Sequence, residues 1–275
     1  MQNIIRKVAL KLLKITALDI VINHHYTGRK FKLNSYNHKG YWYHGKKREE
    51  ETVSIFQKWI AKDYFVLEIG GHIGYFTTFY ASLVGENGKV TVFEPSNINL
   101  NYLRTNIDFL PSKLSKIVSV EQKGAGDIDG ELDFYIDPIS GQNNSFVKDF
   151  DGFKTSRELS ADKNVETIIQ KVPVTTLDGY FANKSSFPDF VKIDVEGFEW
   201  NVIRGFMKTI EKSKPSIMIE IQSNAKEIIA YFKSIEYQIF NDKLEEIQSI
   251  EDYYKRKSAN IFFKSKNKIQ KIIIL

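Results

Sequence analysis

The chain has 275 residues, 42% hydrophobic and 13% aromatic, with a formal net charge of +5. That length and apolar content suit one large globular domain with extensions and exclude a disordered or low-complexity chain. The absence of cysteine excludes disulfides, zinc–thiolate sites and thiol nucleophiles and fits a reducing, cytoplasmic location, while the mild positive charge leaves anionic partners open.

Met1 to Asn23 is rich in aliphatic residues, but Arg6, Lys7, Lys11, Lys14 and Asp19 interrupt them. A spanning helix needs about 20 almost uncharged residues, and a signal peptide needs an unbroken apolar run behind its charges. Neither is expected here. Ile4, Ile5, Val8, Leu12 and Ile15 recur at helical spacing. This predicts an amphipathic helix packed on the domain or on a second copy in a homo-oligomer, in preference to peripheral membrane contact. From Asn23 to Lys47 the chain is too irregular for a long element. His24, His25, His38 and His44 stand there with Tyr41, Trp42 and Tyr43. Such aromatics suit sugar stacking or an ordinary cap over a sheet, and the cap is preferred. Arg48 to Lys62 reads as a helix with Val53, Phe56, Trp59 and Ile60 on one side. Residues 1–62 are thus expected as an N-terminal helical extension ahead of a main domain over 63–275.

Short apolar strands then alternate with helices. Strands are predicted at Phe65 to Ile69, Lys89 to Phe93, Ile117 to Gln122, Phe190 to Ile193 and Ser216 to Ile221. Helices are predicted at Tyr75 to Val84, Asn97 to Asp108, Glu199 to Ile210 and Ala225 to Ser234. Glu131 to Ile136 and Lys171 to Val174 read as extra strands around an insertion, and Tyr237 to Phe240 with Asn260 to Phe263 as a terminal hairpin. Lys264 to Leu275, lysines followed by Ile-Ile-Ile-Leu, leaves open a frayed tail, an edge strand and a membrane-leaning segment. The alternation predicts an α/β fold with a mostly parallel sheet covered on both faces. Ligands of such sheets bind at the carboxyl ends of the strands, where strand order reverses. This chain puts its glycines and carboxylates there.

The first strand ends Glu68-Ile69-Gly70-Gly71-His72-Ile73-Gly74. Glycines let a backbone approach a ligand, and the following helix offers N–H donors. The G-x-x-x-G spacing is not the G-x-G-x-x-G of a dinucleotide site, which argues against a nicotinamide oxidoreductase. A strand-end carboxylate at Glu68 suits a ligand with an ammonium group, and S-adenosylmethionine carries one beside its sulfonium. Glu94, ending the second strand about twenty residues on, is placed to accept ribose hydroxyls. His72, as a lone histidine, reads more readily as a hydrogen-bonded structural residue than as a ligand contact.

Val66-Leu67-Glu68-Ile69-Gly70-Gly71-His72-Ile73-Gly74-Tyr75-Phe76-Thr77, Val92-Phe93-Glu94-Pro95-Ser96, Val174-Thr175-Thr176-Leu177-Asp178 and Val191-Lys192-Ile193-Asp194-Val195-Glu196-Gly197 together resemble the FkbM-type methyltransferases. The resemblance implies a Rossmann-like class I methyltransferase fold and methyl transfer from S-adenosylmethionine, mainly to oxygen atoms of sugars, polyketides and related metabolites. It also implies that Asp127 lies near the adenine. Asn144 and Ser145, within the Gly141 to Phe146 segment, match a loop that approaches the cofactor. Related sequences often carry a histidine after the fifth-strand acid; Gln222 stands there, which weakens a metal site at that corner.

Lys192, Asp194 and Glu196 alternate, and a buried parallel strand cannot hide three charges on one face without partners. The strand is therefore expected to end near Asp194, with Glu196 in the loop above the sheet and Glu220 beside it on the next strand. These acids suit a general base for an acceptor hydroxyl, or a hold on a hard divalent cation, with Lys192 orienting a carboxylate. A plain Lys192 ion pair closing the strand end is the structural alternative. The expected function is O-methylation of a sugar, nucleotide sugar or glycan-type metabolite. The alternatives are an RNA methyltransferase, although no dense basic stripe with interleaved aromatics is present, and a protein that binds S-adenosylmethionine without turnover.

Overall fold

The computed structural model describes residues 12–138, 142–159, 166–256 and 258–266. The expected amphipathic helix falls mostly on residues 1–11, and the Ile-rich tail on 267–275, outside the described residues. The described part of the N-terminal segment is not purely helical. Asp19–Asn23 (β1) and Lys30–Asn34 (β2) form an antiparallel hairpin. It is followed by Lys39–His44 (α1), a 3-10 turn at Gly45–Arg48, and Glu50–Trp59 (α2). The hairpin has a reason to form: Phe31 and Leu33 alternate onto one face and bury against Ile73 and Tyr75. Asn106 then locks β2 in place, accepting from the Lys32 N–H at 2.6 Å and donating to its carbonyl at 3.0 Å.

The main unit continues with Phe65–Ile69 (β3), Tyr75–Val84 (α3), Lys89–Phe93 (β4), Asn97–Asp108 (α4), Ser112–Ser115 (α5) and Val118–Glu121 (β5). An inserted three-stranded sheet follows, built from Gly124–Gly126 (β6), Gly130–Ile136 (β7) and Ile168–Thr176 (β8), with Asp151–Leu159 (α6) between its last two strands. Then come Leu177–Phe181 (α7), Phe190–Ile193 (β9), Glu199–Arg204 (α8), Met207–Ser213 (α9), Ser216–Glu220 (β10), Ala225–Ser234 (α10), Tyr237–Phe240 (β11), Ile250–Arg256 (α11) and Asn260–Ser265 (β12). The helix expected over Glu199 to Ile210 is two helices. Gly205 lies against the Gly126 carbonyl, where no side chain fits, and its own carbonyl accepts from the Asp178 N–H at 2.8 Å.

The central sheet has the order β11-β12-β10-β9-β3-β4-β5. Only β12 runs antiparallel to its neighbours, so the sheet is mostly parallel and the fold is Rossmann-like, as expected. The terminal hairpin forms too, with β12 slotted inside the sheet beside β10. One face packs Leu67, Ile69, Val191, Ile193, Ile217 and Ile219 against Phe181, Ile203, Phe206 and Phe232. The opposite face packs Val66, Phe190 and Met218 against Phe56 of α2 and Tyr80 of α3. This two-sided burial is why the inner strands read as unbroken apolar runs. Strand order reverses between β3 and β9, so their carboxyl ends open a crevice.

Candidate active site

The period of two along a strand decides what the crevice contains. Glu68 and Lys192 are register partners on β3 and β9, and Lys192 and Met218 are partners on β9 and β10. Glu220 follows Met218 on the same side and pairs with Asn260 of β12. The polar residues at these strand ends therefore form one row, on the face covered by α2 and α3. A cleft of about 320 Å³ lies above it. Glu68, Gly70, Gly71, Glu94, Asn144, Lys192, Asp194, Glu196 and Glu220 all line this cleft.

At one end, Glu68 is 1% exposed and accepts from Thr77 Oγ1 at 2.5 Å. Lys192, 2% exposed, reaches Asp194 at 2.9 Å, the Gly70 carbonyl at 3.3 Å and Glu68 at 3.9 Å. Burial pushes the Glu68 carboxyl up to about 7 even with Lys192 pulling it down. Burial also works against the charge on Lys192, but Asp194 and Glu68 outweigh it and hold the lysine above its ordinary value. Glu94 is fixed by backbone: Oε2 accepts from the His72 N–H at 2.7 Å, and Oε1 from the Ser96 N–H at 2.8 Å and Asn99 Nδ2 at 3.3 Å. Burial still lifts it to about 7.

The glycines of the turn face protein. A Cβ on Gly70, whose φ is +86°, would stand 1.9 Å from the Asp194 carbonyl, and one on Gly71 would stand 2.2 Å from Val92. Gly74, also left-handed, begins α3 against Leu103 and does not reach the cleft. Close approach of β3 to β4 and β9 therefore requires these glycines, quite apart from any ligand.

The other end crowds acids. The strand ends at Ile193, and Glu196 takes a left-handed turn at φ +52°. The Ser145 hydroxyl donates to the Glu196 carbonyl at 2.6 Å, which ties the inserted sheet to this turn. Gln222 spans Glu196 and Glu220 with its amide nitrogen, at 3.4 and 3.2 Å. Asp194 and then burial push Glu220 up to about 8. Burial, with Asp194 and Glu220 behind it, lifts Glu196 well above the carboxylate range. Near neutral pH this corner therefore holds protons as well as negative charge.

Besides Gly74, two more expected residues lie outside the cleft. Ser145 is buried behind it, and Asp127 is engaged by Arg204 at 2.5 Å and Asn201 at 3.1 Å. Lys123, Gly124 and Ala125, just before Asp127 in the chain, line the cleft. The N-terminal segment supplies a wall made of Tyr41, Arg48 and Glu49. Tyr41 was read as part of an aromatic cap, and Arg48 and Glu49 carried no motif. His72 lines the cleft, its Nδ1 3.3 Å from the Tyr41 hydroxyl. His24, His25 and His38 pack in the cap, with His24 stacked on Tyr75 at 4.1 Å. Among the described residues no three His, Asp or Glu side chains are grouped so as to hold a metal ion.

A strand, a glycine turn, a helix and strand-end acids at the reversal point of a seven-stranded sheet together form the crevice in which open α/β sheets bind their ligands. Residues 68–245 match the methyltransferase FkbM domain, and the chain belongs to that family. It is 23% identical over 175 residues to the hexuronic acid methyltransferase AglP of Haloferax volcanii, covering 64% of this chain and 63% of that protein. Among solved structures it is similar to methyltransferase FkbM of Methylobacillus flagellatus KT, at 17% identity and a TM-score of 0.48, over 74% of this chain and 44% of that one. A SAM-dependent O-methyltransferase of Thermotoga maritima matches at 10% identity and a TM-score of 0.42, over 78% and 63%. The chain thus spans less than two thirds of the length of these relatives.

Proposed function

We propose that this protein transfers a methyl group from S-adenosylmethionine to a hydroxyl of a sugar, nucleotide sugar or glycan-type metabolite. The observation that carries the proposal is the polar row itself: a fixed acid at Glu94, and Asp194 held by a buried lysine, on one cleft. Family membership and the hexuronic acid specificity named for the Haloferax relative support it. The residues fit the cofactor. Glu94 would hold the ribose hydroxyls, Lys123 to Ala125 would border the base, and the Glu68–Gly70 corner would take the amino-acid end. S-adenosylmethionine would supply an electrophilic methyl group.

The protein's own residues then have separate tasks. Lys192 holds Asp194 at the strand end, where it would take the proton from the acceptor hydroxyl as the oxygen–methyl bond forms. Burial raises the pKa of Glu196 and the neighbouring Asp194 raises that of Glu220, which lessens the negative charge beside this base. Positioning across the cleft would account for much of the remaining rate. Incubation with labelled S-adenosylmethionine and a panel of nucleotide sugars, uronic acids and glycans, read by mass spectrometry, tests the proposal. A methylated sugar product is expected; methylated RNA with sugars untouched would replace it with the nucleic-acid reading.

A further inference from the structure

We infer that Arg48 is a carboxylate receptor built into the wall of this cleft. Its guanidinium lies over the Tyr41 ring, 4.6 Å from the ring centre, and its Nε donates to Glu49 Oε1 at 3.2 Å. One terminal amino group abuts Gly40, where an added Cβ would stand 2.2 Å from it. The position is thus set on three sides by a ring, a carboxylate and a missing side chain. Neither terminal amino group donates to an acceptor among the described residues, and the side chain, 30% exposed, borders the cleft.

A guanidinium offers five donors in a planar fork that matches a carboxylate, and here only one is used. The surroundings make the arrangement selective. Of the other cations on this cleft, Lys192 is held by Asp194 at 2.9 Å and Lys123 by Glu121 at 3.4 Å. A ligand that carries one carboxylate has a single favourable seat on this wall. Burial works against the charge of Arg48, while Tyr41 and Glu49 raise its pKa, so the fork stays charged at all working pH values.

The carboxylate has two sources: the amino-acid end of the cofactor, or a uronic acid acceptor. The second source rests on the sugar reading proposed above, and the first does not. Calorimetry separates them, comparing the wild type with Arg48→Met, which keeps an unbranched apolar stem and removes the fork. The probes are S-adenosylhomocysteine and 5′-methylthioadenosine, which lacks the amino-acid end. Methyl glucuronide and methyl glucoside are then added with S-adenosylhomocysteine saturating.

If the fork holds the cofactor, Arg48→Met weakens S-adenosylhomocysteine by about 10- to 100-fold and leaves 5′-methylthioadenosine unchanged. If it holds the acceptor, glucuronide binding falls by that factor while the glucoside and S-adenosylhomocysteine do not change. Gly40→Ala, which displaces the fork and keeps its charge, should give a smaller loss in the same arm. Equal S-adenosylhomocysteine and glucuronide affinities in wild type and Arg48→Met overturn the proposal and leave Arg48 as the partner of Glu49. If the wild type binds no glucuronide, the uronate reading fails and the S-adenosylhomocysteine arm alone decides.

Discussion

Glu94 and Glu220 both carry carboxyl groups pushed well above the ordinary range, to about 7 and about 8, yet they are built in opposite ways. Burial raises Glu94, but every contact around it is a donor: two backbone N–H groups and an amide. Glu220 is raised chiefly by the neighbouring Asp194, and the Gln222 amide that donates to it is shared with Glu196. The first arrangement fixes an acceptor in place, as a part that only binds needs to be fixed. The second stores repulsion among three acids beside one lysine, and relieves it by holding protons. A site that moves a proton needs a reservoir of this kind, whereas a ribose clamp does not.

The sharpest way to break this contrast is Asp194→Asn. The substitution keeps size and hydrogen bonding and removes the charge, while Lys192 retains Glu68 and the Gly70 carbonyl. Turnover should fall by about 10²-fold or more with cofactor affinity nearly unchanged. Unchanged turnover would reduce Asp194 to the partner of Lys192. Treating the wild type with EDTA adds the second half: activity lost and then restored by a divalent ion would mean that metal, rather than a bare carboxylate, lowers the hydroxyl pKa.

At the clamp end, Glu94→Ala should do the reverse. Cofactor affinity, expected near micromolar or about 8 kcal/mol, should lose about 1–3 kcal/mol by calorimetry. At saturating cofactor the rate should recover. A rate defect that persists at saturation would show that Glu94 does more than bind.

The two ends also differed in how far they could be read from the chain. The strand–turn–helix frame and the strand-end acids were legible because β3, β4, β9 and β10 are buried on both faces and so appear as short apolar runs closed by Gly, Asp or Glu. The purpose of the glycines was not. Their spacing reads as room for a ligand, whereas Gly70 is required by the Asp194 carbonyl just past the end of β9. Asp127 was assigned through family likeness, and its engagement by Arg204 depends on where α8 packs. The hairpin was hidden because Ile20 and Ile22 continue the aliphatic pattern of the residues before them, and only Tyr75 and Ile73, far along the chain, supply its burial partner. Arg48 was equally silent: its place depends on a ring seven residues back and on a glycine eight back, brought together by the turn between α1 and α2.

The proton-holding end makes a prediction of smaller size and definite sign. Glu220 titrates at about 8 in the folded chain against an ordinary 4.5, and Glu68, Glu94 and Glu199 at about 7. A raised carboxyl pKa means that the folded state binds the proton more tightly than the unfolded state does. Its contribution is full below about 4.5 and fades as pH rises through the folded value. The cofactor-free protein should therefore lose melting temperature between pH 6 and pH 9. Glu220→Gln should lose less over that span, because an amide cannot be forced to ionise beside Asp194. Calorimetric scans at the two pH values check this, and equal slopes for variant and wild type would mean that the corner holds no proton.

The smallest effect expected is on salt. A sugar or nucleotide-sugar acceptor meets this cleft through a few contacts, so activity should change little between 50 and about 200 mM salt. An RNA acceptor neutralised by many lysines would lose orders of magnitude in affinity over the same range, because each phosphate contact releases a condensed counterion. The cleft itself favours the flat response. Its wall carries Glu49, Glu68, Glu94, Asp194, Glu196 and Glu220 against Lys123, Lys192 and Arg48, and Lys192 is already committed to Asp194 at 2.9 Å. A polyphosphate strand laid across such a wall would find each of these three cations already beside a carboxylate. Steep loss of acceptor affinity with salt, measured at saturating cofactor, would therefore place the acceptor on a basic surface outside the cleft. It would also leave the crowded acids without the neutral hydroxyl they are arranged to receive.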